Sequence, residues 1–217
     1  MTPKPTQSRQ PRAARSDGLR NRQQVLEAAT AAFSTVGLGA SVNDIARRAS
    51  VGVGTLYRHF PTKEALLAEV LRARLGELLA VSREFTDRHG DDPGELLRSW
   101  VQAVAAQIGE FTAVHEWVIT ALTSDPELRD LHHQVLAEGQ TLLTDAQGVG
   151  RASAEARIGD LVGAIAALAV TATPDDPERP ARLLRLLIDG LLTAPDAADA
   201  VRPSGVRPPR SHPSSRS

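Results

Sequence analysis

The chain has 217 residues, 41% of them apolar, which is enough for one large domain or two small ones with a buried core. It contains no cysteine, which excludes disulfide scaffolds, thiolate zinc sites, iron–sulfur clusters and cysteine nucleophiles. The formal net charge of −1 hides an asymmetry: residues 1–63 carry ten basic and three acidic groups, the remaining 154 carry 15 and 23. A basic head on an acidic body is the charge layout of a polyanion binder.

Segments 1–17 and 196–217 are rich in Pro, Ser and Arg and poor in apolar residues. Both are expected to be disordered, the first as a basic arm and the second as a tail. The arm lacks the apolar stretch of a secretory leader. The longest greasy run, Leu161 to Ala172, is too short to span a bilayer. The expectation is a soluble, cytoplasmic protein with no membrane partner.

Between the two ends apolar spacing is helical, with no convincing period-two alternation, so the chain is expected to be all-α with about nine helices. Val25, Ala29, Ala32, Phe33 and Val36 mark a first helix closed by Gly37. Ser41 and Asp44 have capping-box spacing, and the helix they start buries Val42, Ile45, Ala46 and Ala49. After Ser50-Val51-Gly52 a brief helix runs from Val53 to about His59, and Pro61-Thr62 restart the chain. A long helix follows from Lys63 to near Arg83, with Leu67, Leu71, Leu75, Leu78 and Leu79 on its inner face. The pairs Asp92-Pro93, Asp125-Pro126 and Asp176-Pro177 read as caps with proline at the first helical position, predicting helices over 93–109, 126–147 and 177–193. Two more are expected at 111–122 and 153–172.

Residues 41–67 carry the most information. Two short helices with a tight connector form a helix-turn-helix candidate, whose second helix enters the DNA major groove. Leu56 and Phe60, four apart, would anchor that helix to Phe33, Ile45 and Ala46, leaving Val53, Thr55, Tyr57 and Arg58 outward or sideways. Gly54 would let backbone approach DNA, and Lys63 at a helix start would favour a phosphate. An ordinary helix pair within an α-helical core has the same periodicity.

Ile45-Ala46, Val51-Gly52, Gly54-Thr55-Leu56-Tyr57, His59-Phe60, Lys63 and Ala65-Leu66-Leu67 form a specific string. With it, residues 20–67 resemble the DNA-binding domain of the tetracycline-repressor (TetR) family of transcriptional regulators. The resemblance implies a three-helix head over 18–62 and a helical effector-binding and dimerisation domain over 63–195. It implies a homodimer that binds a palindromic or pseudo-palindromic double-stranded operator, as a repressor released by a small-molecule effector yet to be identified. Val53, Gly54 and Thr55 would meet base edges, Tyr57, His59, Lys63 and Ser41 would hold phosphates, and Asn43 would read adenine through its amide. Arg47 and Arg48 are either contacts or solvated charge. Arg9, Arg12 and Arg15 form either a minor-groove arm or a non-specific one. Two departures stand out: Ser50 occupies a turn position where the family has glycine and would strain a left-handed backbone, and Gly52 replaces a side-chain cap.

In the body, Trp100, Gln107, Phe111, His115, Trp117, Leu131, Val135 and Gln140 are candidates for the wall of an effector cavity or for plain core. Segment 177–193 reads as apolar nearly all round. Leu161, Ile165, Leu184, Leu187, Ile188 and Leu191 are the expected dimer interface, burial within one chain being the alternative. Catalysis is not expected, and neither is a cofactor or a metal. HExxH and GxSxG are absent, His132 and His133 diverge on a helix, and Gly52-Val53-Gly54 follows no strand. A helical ligand-binding protein without specific DNA binding is the remaining alternative.

Overall fold

The computed structural model describes the backbone of residues 11–89 and 92–192, and their side chains apart from 11–17, 19 and 81–89. Among these residues lie nine α-helices: α1 (Pro11–Val36), α2 (Val42–Arg48), α3 (Val53–His59), α4 (Lys63–His89), α5 (Pro93–Glu110), α6 (His115–Ser124), α7 (Pro126–Gly148), α8 (Ile158–Ala169) and α9 (Arg179–Leu191). Short 3-10 turns at Gly37–Gly39 and Thr112–Val114 join α1 to α2 and α5 to α6. Extended pairing among the described residues is limited to two isolated bridges, Ala152 with Leu192 and Thr173 with Asp176.

The caps follow the expected chemistry. Ser41 accepts the amide of Asp44 at 3.4 Å, while the Asp44 carboxylate turns to Arg47 at 2.8 Å, so half of the capping box forms. Asp92 accepts the amides of Gly94 (3.0 Å) and Glu95 (3.3 Å), and Asp125 that of Leu128 (3.1 Å). Each satisfies helix-end donors that would otherwise be unpaired.

Two apolar clusters organise the chain. The first joins α1, α2, α3 and the start of α4, and is completed by Phe111, Val114, Ala121 and Leu128 from the body. The second holds Leu78, Trp100, Val101, Leu143, Ile165 and Ile188 among the later helices. Head and body also meet at backbone level. Gly37 has a left-handed φ of 64°, and a side-chain carbon there would lie 2.6 Å from the Ala113 carbonyl oxygen. Only glycine satisfies both constraints.

Several boundaries differ from those read in the sequence. Helix α1 begins at Pro11, so residues 11–17 of the expected disordered arm are helical; proline suits a first turn. Residues 1–10, with Arg9, and the tail 196–217 lie outside the described residues. Helix α8 starts at Ile158 rather than 153, because 152–156 is held as a connector. There Ser153 donates its amide to the Leu191 carbonyl (2.9 Å), and the Gln147 amide donates to the carbonyls of Ser153 (2.8 Å) and Ala156 (3.0 Å). Asp176-Pro177 is no cap: Asp176 closes a turn with Thr173 and takes two hydrogen bonds from Arg182 (2.9 and 2.6 Å), and α9 starts at Arg179.

Helix α9 is not apolar all round. Arg179, Arg182, Arg185 and Asp189 form an exposed stripe, while Ile188 and Leu191 are buried. Of the six residues expected at a dimer interface, four are buried within this chain and two are half-buried. Leu161, Ile165, Ile188 and Leu191 are 7% exposed or less and form this chain's own second core, with Leu184 and Leu187 packed on it. The exposed face of α8 carries Gly159, Asp160, Gly163 and Ala167, with Val170 just after it, and Leu186 is exposed beside the charged stripe of α9.

Gly139 on α7 fits the fully buried Trp100 so closely that an added methyl would sit 2.4 Å from the indole ring. Alanine is the better helix former by about 1 kcal/mol, but overpacking a closed core costs roughly 1–3 kcal/mol. Gly139→Ala is therefore expected to lower the urea unfolding midpoint, against its helix propensity.

Candidate nucleic-acid interface

The α2–α3 unit is shaped by what its apolar residues need. Leu56 (1% exposed) and Phe60 (2%) turn inward onto Phe33, Ile45 and Ala46, as their spacing predicts. The connector is fixed by Ser50 N–H to the Arg47 carbonyl (3.1 Å) and Val51 N–H to the Ala46 carbonyl (3.0 Å). It places Ser50 at φ 56°, the one non-glycine residue with positive φ among those described. Gly52 caps α3 with no side-chain bond, which leaves Thr62 at the next helix as the capping hydroxyl, 3.0 Å from the Ala65 amide.

With the apolar side turned in, α3 offers its other side to solvent. Gly54, Tyr57, Arg58 and His59 are exposed, and nothing lies within 4 Å of where a Gly54 side chain would begin. Thr55 is half-buried, and Val53 also packs partly on the head core. Ser41 and Asn43 are exposed at the start of α2. Arg47 is paired with Asp44 on the outer face, the solvated-charge alternative, and Arg48 is exposed beside it. The Lys63 ammonium donates to the Leu38 carbonyl at 2.7 Å, tying the start of α4 to the first 3-10 turn with two further N–H groups to spare.

A line of charges runs from α3 into the body. The Arg22 guanidinium lies over the Phe60 ring (5.8 Å) and pairs with Glu69. Glu69 pairs with Arg72 at 2.5 Å, and Arg72 reaches Asp125, the cap of α7, at 2.5 Å.

Behind the head, α4, α5, α6, α7 and α8 line a cavity of about 180 Å³ whose wall includes the exposed His115 and Ile119. Gln107, Phe111, His115 and Val135 line it as expected. Four other candidates do not. Trp100 fills the second core against Gly139; Trp117 packs on the head cluster; Leu131 is half-buried outside the lining; Gln140 is exposed and donates to the Thr144 hydroxyl (3.1 Å). The wall that the sequence reading missed is mostly aliphatic: Leu71, Leu75 and Leu78 of α4, Val104 and Ile108 of α5, Val118, Ile119 and Leu122 of α6, Leu128, His132 and Leu136 of α7, Val162 and Ala166 of α8. On α7 the lining residues recur at i, i+4, i+7 and i+8, a signal available in the sequence. Burial, and then the neighbouring His133, push the His132 imidazole below its ordinary range, so it is neutral at pH 7.

Comparison with known proteins gives a consistent picture. Residues 25–70 match the family described as bacterial regulatory proteins, tetR family, and residues 92–193 match the SbtR-like transcriptional regulator C-terminal domain. The chain is similar to the HTH-type transcriptional regulator SAB2452 of Staphylococcus aureus, with 34% identity over 36% of this chain and 43% of that protein. It is also similar to the HTH-type transcriptional repressor KstR2 of Mycobacterium tuberculosis, with 43% identity over 30% of this chain and 34% of that protein. The chain thus spans less than half the length of these curated relatives. The solved structure of the TetR transcriptional regulator SCO0520 from Streptomyces coelicolor is similar with a TM-score of 0.62 and 31% identity, over 81% of this chain and 99% of that one. A TetR regulatory protein from Mycobacterium vanbaalenii gives 0.58 and 29%, over 83% and 99%.

A left-handed backbone costs an ordinary L-residue about 1–2 kcal/mol, and glycine loses part of that advantage in the unfolded chain. Ser50→Gly is expected to stabilise the protein by about 0.5–1 kcal/mol, read as a higher thermal midpoint. An unchanged or lowered midpoint would show that the serine carries no strain there.

Proposed function

Since the chain belongs to the TetR family of bacterial regulatory proteins, we propose that it is a homodimeric, sequence-specific DNA-binding transcriptional repressor that a small-molecule effector releases. The observation that carries this reading is the two-sidedness of α3: its large apolar side chains are spent on the head core, and Gly54, Tyr57 and His59 remain open. In this reading Gly54 and Thr55, with the edge of Val53, meet bases in the major groove, and Asn43 reads adenine from α2. Tyr57, His59, Ser41 and the spare Lys63 N–H groups hold phosphates, and phosphate contacts set register. One such unit offers few contacts, so two copies on a palindromic or pseudo-palindromic site are needed for selectivity. The small-residue outer face of α8 and the exposed Leu186 of α9 are the surface we assign to pairing.

The effector would occupy the cavity behind the head. Phe111 and Leu128 belong both to its wall and to the head cluster, so filling it bears directly on the packing of α1 and α4. A ligand that prefers one spacing of the recognition helices lowers DNA affinity by its differential binding energy. We read the chain as a cytoplasmic regulator and not an enzyme, on the strength of its family. No helix among the described residues is long and apolar enough to cross a membrane.

Footprinting on the DNA flanking the coding region is expected to show two protected half-sites related by a dyad. Thr55→Ala is expected to cost about 1–3 kcal/mol at a cognate site and to relax preference at one base pair. Lys63→Ala should weaken all sequences alike and shallow the salt dependence. Duplex affinity insensitive to both substitutions would favour a helical ligand-binding protein without specific DNA recognition.

A further inference from the structure

The walls of the cavity constrain what it can hold. Of its 17 lining residues 14 are apolar, and the polar side chains are Gln107, His115 and His132. No carboxylate, lysine or arginine lines it among the described residues. The guanidiniums that flank its α4 wall in sequence are committed elsewhere: Arg74 to Glu77 (2.8 Å) and Glu110 (2.9 Å), Arg72 to Glu69 and Asp125. A charge carried past the exposed His115 and Ile119 into the interior of such a site loses its hydration and finds no fixed counter-ion.

The polar groups present suit a different guest. Gln107 and His132 are half-buried on α5 and α7, whereas His115 is exposed. A neutral imidazole and an amide can each donate or accept one hydrogen bond, which matches a hydroxyl or carbonyl and neutralises no ion. The volume of about 180 Å³ is below the roughly 300–1,000 Å³ of pockets for drug-sized ligands. It fits a short chain or a single ring.

We infer that the effector is an uncharged, largely apolar molecule of modest size bearing one or two hydroxyl or carbonyl groups, held by Gln107 and His132, and that the cavity rejects carboxylate and ammonium forms of the same skeleton. This inference rests on the effector role proposed for the cavity, but the binding it predicts needs no DNA.

Three six-carbon probes, 2-hexanone, hexanoate and hexylammonium, test it by calorimetric titration of the full chain. The ketone is expected to bind at least tenfold tighter than either ion. Gln107→Leu and His132→Leu should each weaken the ketone severalfold, and Ala166→Phe should abolish its binding by filling the space. Val162→Phe serves the same purpose should the first variant misfold. Equal or tighter binding of hexanoate or hexylammonium, no binding of the ketone, or ketone affinity untouched by a folded filling variant would each overturn the inference. Operator footprinting on the same preparation reports the DNA-binding reading separately, so the two can fail independently.

Discussion

The structure depends on one shared piece of core. Helices α2 and α3 are seven residues each, too short to persist in water by their own hydrogen bonds. They are held because Ile45, Leu56 and Phe60 find apolar neighbours, and that cluster is completed only by Phe111, Val114, Ala121 and Leu128 from the body. The head is therefore not an independent bead on a linker. Two of these residues, Phe111 and Leu128, also line the cavity, so the space behind the head borders its core directly.

A second, polar link runs in parallel. Arg22, Glu69, Arg72 and Asp125 join α1, α4 and the first turn of α7, and Arg22 also covers the Phe60 ring at the end of α3. These groups are partly exposed, so each pair contributes little to stability alone. Their value is geometric: Asp125 both caps α7 and receives Arg72, so a rotation of α7 changes the hydrogen bonding of α4.

Much of the fold was legible because it follows from local rules. Ser41, Asp92 and Asp125 announce helix starts by capping chemistry, and the i, i+3, i+4 spacing of Ile45, Ala46 and Ala49 gives the buried face of α2. The strained turn at Ser50 could be read from one residue standing where the family has glycine. What failed depended on tertiary context. Asp176-Pro177 has the same local form as the two true caps, but the Thr173 bridge and Arg182 claim the aspartate first. Trp100 and Trp117 drew attention by size, yet a large ring fills solid core more readily than it borders an opening. The cavity is instead walled by leucines and valines that no single residue type distinguishes. The α9 leucines misled for a related reason: counting them hid the Arg179, Arg182, Arg185 stripe that sets which side faces in.

The contact of Gly37 with the Ala113 carbonyl has a further consequence. Side chains meeting across a joint can change rotamer and absorb a shift of an ångström, but here main chain rests on main chain. Such a joint leaves no room for a side chain, so the spacing between the α5–α6 connector and the turn that leads into α2 is set by two backbones alone.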